Sequence, residues 1–160
     1  MKTVFFDRDG VINKEVTGKY ITSAEEFELL PDVLFFMETL QKKGYQFVII
    51  TNQGGIEKGI YKKNDVEIIH QKMISILNKN NIFILATYFC PHHIDMGTRC
   101  LCRKPGSLML EKAIAVYNID VYQAIFIGDK NSDIEAAKKV GIKGFKINTN
   151  ASLIPLLQVL

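Results

Sequence analysis

Short apolar runs of strand length alternate along the chain with stretches whose apolar residues recur at helical spacing. Strands are predicted over residues 3–6, 46–51, 84–89, 124–128 and 144–147, because each is a compact run rich in Val, Ile, Phe or Tyr. A helix is predicted over 33–43, ended by Gly44, and a longer one from about Asp65, where Val66, Ile69, Met73, Ile76 and Leu77 form one apolar stripe. Ser107 stands where it can cap a further helix carrying Leu110, Ala113, Ile114 and Tyr117. The last helix is predicted over 131–140, with Gly141 as a left-handed cap. Apolar strands alternating with amphipathic helices imply an α/β fold: a Rossmann-like three-layer domain with a central parallel sheet and helices on both faces.

Composition narrows the setting. The chain has 160 residues, 48% of them hydrophobic and 23% charged, which suits one globular domain spanning 1–160. No internal repeat, low-complexity tract or linker interrupts it. No apolar run reaches membrane-spanning length and no signal peptide precedes Val4, so a cytoplasmic, monomeric protein with no membrane partner is expected. The net charge of +3 lacks a long Lys/Arg block, so nucleic acid is not the expected partner. A basic pocket for a small anion accounts for the balance equally well.

Four polar clusters follow predicted strands or lie beside them. The first is Asp7-Arg8-Asp9-Gly10, which delivers two carboxylates to a strand end; by strand alternation Asp7 and Asp9 face one pocket while Arg8 turns away. Two carboxylates that close call for a divalent cation. Thr51-Asn52-Gln53-Gly54-Gly55 offers a hydroxyl, an amide and glycine N–H groups to phosphoryl oxygens, although alone it is also an ordinary turn. Arg103-Lys104 pairs a planar fork for a substrate anion with a compact ammonium for a reacting phosphate. Gly128-Asp129-Lys130-Asn131-Ser132-Asp133 brings a third acid, Asp129, to the same sheet edge. Asp133 reads either as a support for that site or as a capping residue of the helix it opens.

Cysteine use adds a separate feature. Cys90, Cys100 and Cys102 fall in one segment with His92 and His93, and their odd number argues against a disulfide framework. Cys90-x-His92 followed by Cys100-x-Cys102 supplies three thiolates and an imidazole, the donor set of a closed structural zinc site; His93 is the alternative nitrogen ligand, and free packed thiols are the alternative reading. Such a site would pin a loop containing Gly97 and Thr98 beside Arg103 and Lys104.

Taken in order, the Asp-x-Asp-Gly strand end, strand-end Thr51, Lys104 and Gly128-Asp129-x-x-x-Asp133 resemble the haloacid dehalogenase superfamily of phosphatases, from Val4 to about Ile147. The resemblance implies Asp7 as nucleophile, forming an aspartyl phosphate, and Asp9 as general acid and then base. It implies Mg²⁺ on the Asp7 carboxylate, the Asp9 backbone carbonyl and Asp129, and phosphate held by Thr51, the Asn52 N–H and Lys104. The stretch between Asp9 and Thr51 has room for a flap and one helix but no cap domain. That gap and the Cys-x-His…Cys-x-Cys-Arg-Lys-Pro loop resemble the capless branch of histidinol-phosphate and heptose-bisphosphate phosphatases, implying substrate contacts from Arg103, Lys130 and the flap at 13–20. The expected substrate is a small sugar phosphate, a heptose bisphosphate of lipopolysaccharide precursor synthesis, with histidinol phosphate as the alternative. The short 92–100 segment is nearer the histidinol-phosphate type, and the flap Lys14-Glu15-Val16-Thr17-Gly18-Lys19-Tyr20 departs from the heptose pattern. A nucleic-acid 3′-phosphatase and a phosphoacceptor signalling domain are the readings from other classes; a signalling module gains nothing from an acid/base two residues after its phosphorylated aspartate.

Overall fold

Thr3, Val4, Phe5 and Phe6 are all buried, and they form the central strand of the sheet, β1 (Thr3–Phe6). The computed structural model describes residues 1–97 and 99–160; Thr98 of the expected zinc loop lies outside the described residues. The other strands are β2 (Gln46–Asn52), β3 (Ile84–Cys90), β4 (Ala124–Gly128) and β5 (Lys143–Lys146). Their order is β3-β2-β1-β4-β5 and every pairing is parallel. The helices are α1 (Val33–Lys42), α2 (Lys63–Lys79), α3 (Leu108–Tyr117) and α4 (Asn131–Lys139).

Strand alternation divides the core in two. Val4, Phe6, Phe47, Ile49 and Ile127 pack with Phe36, Met37 and Leu40 of α1 and Ile69 and Met73 of α2. Phe5, Val48, Ile50 and Phe126 point the other way, onto Met109, Leu110 and Ala113 of α3 and Ala136 and Ala137 of α4. Each buried aromatic or aliphatic side chain contributes about 1.5–3 kcal/mol, so both layers hold the sheet. The strand order reverses on either side of β1, which opens a crevice at the carboxyl ends of β1, β2 and β4. Between Asp9 and Thr51 lie a flap, a 3₁₀ turn at Ala24–Glu26 and α1, with no cap domain.

Several local details differ from the sequence pattern or add to it. Helix α2 starts ahead of Asp65 because the Asp65 carboxylate accepts the Lys62 N–H at 2.7 Å, making Asp65 the third residue of the helix. Ser107 precedes α3 but makes no capping bond; its hydroxyl donates to Glu111 at 2.6 Å instead. The edge strand β5 begins at Lys143, where pairing with Ile125 of β4 outweighs the polar side chain. The tail after Asn148 packs back on the sheet, with Leu153 buried and Leu156, Leu157 and Leu160 against the α1–α2 side. No described helix is long and apolar enough to cross a membrane.

His70 of α2 is buried, edge-on to Phe89 at 5.9 Å, and its Nε2 has no hydrogen-bond partner among the described residues. Burial, then the nearby Arg8 charge, pulls its pKa down to about 3. The folded protein therefore binds this proton less readily than the unfolded chain does. Its share of stability is complete above the unfolded value of about 6.5 and is lost toward the folded value, by about 1.4 kcal/mol per pH unit. Urea unfolding between pH 7 and 4 should show His70→Gln losing less stability on acidification than wild type; parallel slopes would rule out this origin.

Candidate active site

The chain leaves β1 at Phe6, and Asp7 continues its line, donating its N–H to the Ile127 carbonyl of β4 at 3.0 Å. Asp7 Oδ1 accepts the Arg8 N–H at 2.8 Å and forms an ion pair with the Lys104 ammonium at 2.8 Å. No hydrogen bond holds Oδ2 among the described residues, and Asp7 lines the cleft. Burial pushes its pKa up to about 7 against the pull of Lys104, and the Asp133 and Asp9 charges push the same way.

Arg8 does not turn away as alternation implied. Strand geometry ends at Phe6, and the buried Arg8 guanidinium folds onto its neighbour, with Nε and Nη2 meeting Asp9 Oδ1 at 3.2 and 3.0 Å and Nη2 meeting Oδ2 at 3.0 Å. Asn13 Nδ2 donates to Asp9 Oδ1 at 3.0 Å and Gln53 Nε2 to Oδ2 at 2.8 Å. Burial works to raise the Asp9 pKa, but Arg8, Asn13 and Gln53 outweigh it and hold the carboxyl below its ordinary value. Gln53 also donates to the buried Thr51 hydroxyl at 2.8 Å and accepts from Tyr61 at 2.8 Å, linking the end of β2 to Asp9.

Lys104 is the electrostatic centre. Its ammonium donates to the Ile50 carbonyl at 2.7 Å and forms ion pairs with Asp7 Oδ1 at 2.8 Å and Asp133 Oδ1 at 2.7 Å. Burial would lower its pKa, but Asp7 and Asp133 together raise it. Asn52 fixes the backbone of this residue from β2, giving Nδ2 to the Lys104 carbonyl at 3.1 Å and receiving its N–H at 3.0 Å. Asp133 combines both roles open to it in the sequence: Oδ2 accepts the Lys130 N–H at 3.0 Å at the start of α4, and Oδ1 pairs with Lys104. A Cβ on Gly128 would lie 2.4 Å from the Asp133 Cβ, so only glycine lets this turn close.

Asp129, at the end of β4, is buried; Oδ2 accepts the Thr149 hydroxyl at 2.6 Å and Oδ1 has no hydrogen-bond partner among the described residues. Carboxylate oxygens of Asp7, Asp129 and Asp133 lie within 4.8 Å of one another. With Asp133 tied to Lys104, the free oxygens are those of Asp7 and Asp129. Hard donors, a buried unpartnered oxygen and a carboxyl pushed toward neutrality fit a divalent cation such as Mg²⁺. Lys130 pairs with Glu15 of the flap at 2.9 Å; burial works against its charge, but Glu15, Asp7 and Asp129 raise its pKa. The cleft, about 640 Å³, is walled by Asp7, Asp9, Thr51, Arg103, Lys104, Lys130 and flap residues including Tyr20.

Beside it, Cys90, His92, Cys100 and Cys102 present donor atoms within 4.8 Å of one another. Cys90 Sγ lies 3.7 Å from Cys100 Sγ, 3.0 Å from Cys102 Sγ and 3.5 Å from His92 Nδ1, which is 3.3 Å from Cys102 Sγ. A zinc tetrahedron with ordinary bond lengths has edges of about 3.8 Å between sulfurs and 3.5 Å from sulfur to nitrogen; Cys90 and Cys102 stand closer than that, and the donor set of three thiols and an imidazole gathered in one place is of zinc-binding type. His93 points elsewhere, its Nδ1 accepting the Asp95 N–H at 3.2 Å. The cluster grips the cleft wall: Arg103 donates its N–H to Cys100 Sγ at 3.4 Å and Nη1 to the His92 carbonyl at 2.8 Å. Cys100→Ala should reduce bound zinc from about one per chain and lower activity roughly tenfold or more through Arg103 and Lys104. Metal analysis with hydrogen exchange at residues 100–104 checks this; full zinc content and unchanged exchange would contradict it.

A parallel sheet in this order, with Asp7, Asp9, Thr51, Lys104 and Asp129 gathered at one rim, defines a phosphatase of the haloacid dehalogenase-like class. The family model described as polynucleotide kinase 3 phosphatase matches residues 2–148, and the chain belongs to that family. It is 38% identical over 147 residues to the D-glycero-alpha-D-manno-heptose-1,7-bisphosphate 7-phosphatase of Photorhabdus laumondii, covering 89% of this chain and 79% of that one. The histidine biosynthesis bifunctional protein HisB of Campylobacter jejuni is 34% identical over 91% of this chain, which spans 41% of that protein. Among solved structures, the D,D-heptose 1,7-bisphosphate phosphatase from B. bronchiseptica, complexed with magnesium and phosphate, superposes with a TM-score of 0.86 at 30% identity, covering 99% of this chain and 87% of that one.

Proposed function

We propose that this chain is a Mg²⁺-dependent phosphatase that removes the 7-phosphate of D-glycero-D-manno-heptose 1,7-bisphosphate, working as a cytoplasmic monomer. The observation that carries the reading is a cleft of small-molecule size that joins the acidic rim to the basic side chains Arg103 and Lys130. Such a cleft suits a compact substrate with a second anionic group, and the heptose-bisphosphate relatives agree with it in sequence and fold.

In this reading Asp7 attacks phosphorus through Oδ2, while Lys104 and the Arg8 N–H hold Oδ1. The departing alkoxide takes a proton from Asp9. The same carboxylate then removes a proton from the water that hydrolyses the Asp7 acyl phosphate. A low Asp9 pKa suits that second, basic step; an arriving phosphate dianion pushes it upward for the first. Asp7, the Asp9 carbonyl and Asp129 would hold Mg²⁺, which when bound neutralises phosphate charge against an anionic nucleophile. The Thr51 hydroxyl, the Asn52 N–H and Lys104 take the equatorial oxygens, and Arg103 and Lys130 take the rest of the substrate.

Histidinol phosphate is the second reading, favoured by the short zinc loop and the HisB relative. Phosphate release from purified, Mg²⁺-loaded protein should favour the heptose bisphosphate by at least tenfold in kcat/KM, which is about 1.4 kcal/mol of transition-state discrimination. A reversed ratio would select histidinol phosphate. Preference for a 3′-phosphorylated oligonucleotide, falling steeply with salt, would instead assign a nucleic-acid phosphatase.

A further inference from the structure

Residues just after β5 reach both the acidic rim and the flap. Thr149 donates its hydroxyl to Asp129 Oδ2 at 2.6 Å, the one protein hydrogen bond to that carboxylate among the described residues. Asn150, next in sequence, gives its N–H to the Gly10 carbonyl at 2.8 Å. Its side chain then takes both backbone groups of one flap residue: Glu15 N–H donates to Oδ1 at 2.7 Å, and Nδ2 donates to the Glu15 carbonyl at 2.8 Å. Asn150 holds φ at 61°, a left-handed conformation that asparagine tolerates better than most side chains. The three parts meet at Gly10, where an added Cβ would lie 2.8 Å from Asp129 Oδ2, 2.8 Å from the Thr149 methyl and 3.2 Å from Glu15 Oε2. Below this junction the buried Leu153 anchors the tail in the core, and the Ser152 hydroxyl bonds Asp32.

We infer that Thr149 and Asn150 are positioning residues that act as a two-pronged clasp, Thr149 aiming Asp129 at the cation and Asn150 fixing the base of the substrate flap. A carboxylate with one oxygen fixed by a hydroxyl presents the other in a set direction, and removing such a support weakens metal binding by about 10–100-fold in comparable sites. The flap needs the same anchoring because Glu15 also pairs with Lys130, so slack at the Glu15 backbone would move a charged wall of the cleft.

The inference rests on the proposed Mg²⁺ site, and its test separates the two. Calorimetric titration of wild-type protein with Mg²⁺ comes first; no binding there would remove the phosphatase reading along with the clasp. With wild-type binding in hand, Thr149→Val is expected to bind Mg²⁺ about tenfold more weakly, and Thr149→Ser, which keeps the hydroxyl, as wild type does. Binding within twofold of wild type by the valine variant would overturn the clasp alone, as would equal weakening by valine and serine, which would trace the effect to the methyl. Asn150→Gly keeps the left-handed backbone free of strain and removes only the side chain. It is expected to speed hydrogen exchange at the Glu15 amide by at least about tenfold and to raise KM by a larger factor than it lowers kcat. An unchanged Glu15 amide would overturn the flap arm.

Discussion

Asp7→Asn is expected to lower phosphate release by at least about 10⁴-fold in kcat while leaving the fold intact, because an amide oxygen cannot form the acyl phosphate. The surroundings make this substitution clean. Asparagine keeps the shape of the side chain, and Oδ1 can still accept from the Arg8 N–H and Lys104. Asp133 still pairs with Lys104 in this variant, so the buried ammonium keeps a counter-charge. Single-turnover assays with saturating enzyme in excess of substrate would separate chemistry from binding, and thermal unfolding would confirm the fold. A variant that retained even one hundredth of the activity would leave Asp7 as a ligand and would move the nucleophile elsewhere.

The sequence was most readable where chemistry coincides with a strand end. Asp7, Thr51 and Asp129 each follow an apolar run, and the parallel sheet brings those ends to one rim. The zinc-type cluster was equally plain, since thiols and an imidazole at x-spacing in one segment have few other uses. Arg8 was misread because alternation was carried past the end of β1, where the backbone already turns. Gln53 stood in a recognised cluster, yet nothing local distinguishes a turn amide from one that bridges Thr51 and Asp9. Thr149 was invisible for a different reason: its partner lies 20 residues away, across β5, and a threonine in a polar loop carries no periodic signal. The candidate chemical residues were legible from type and place, and the contacts that hold them required the fold.

Lys104→Met is expected to abolish activity and to destabilise the protein by about 3–5 kcal/mol, the usual result of removing one partner of a buried ion pair. Methionine fills much of the aliphatic stem, so the loss comes from the ammonium. Without it, Asp7 and Asp133 confront each other without a counter-charge and the Ile50 carbonyl loses its donor. The pH dependence identifies the cause. Lys104 now lowers the Asp7 pKa; its removal lets burial and Asp133 raise the value beyond about 7. A carboxyl whose folded pKa lies above its unfolded one stabilises the fold below the unfolded value, and that stability is lost as pH rises through the folded value. In Mg²⁺-free buffer the gap between wild type and Lys104→Met should therefore be widest near pH 8 and should narrow toward pH 5. Adding Asp133→Asn to the variant should recover part of the stability at pH 8 and none of the activity. A gap that stays constant with pH, or a double variant no more stable than the single one, would mean that Lys104 contributes packing alone, and the electrostatic account of the rim would fall with it.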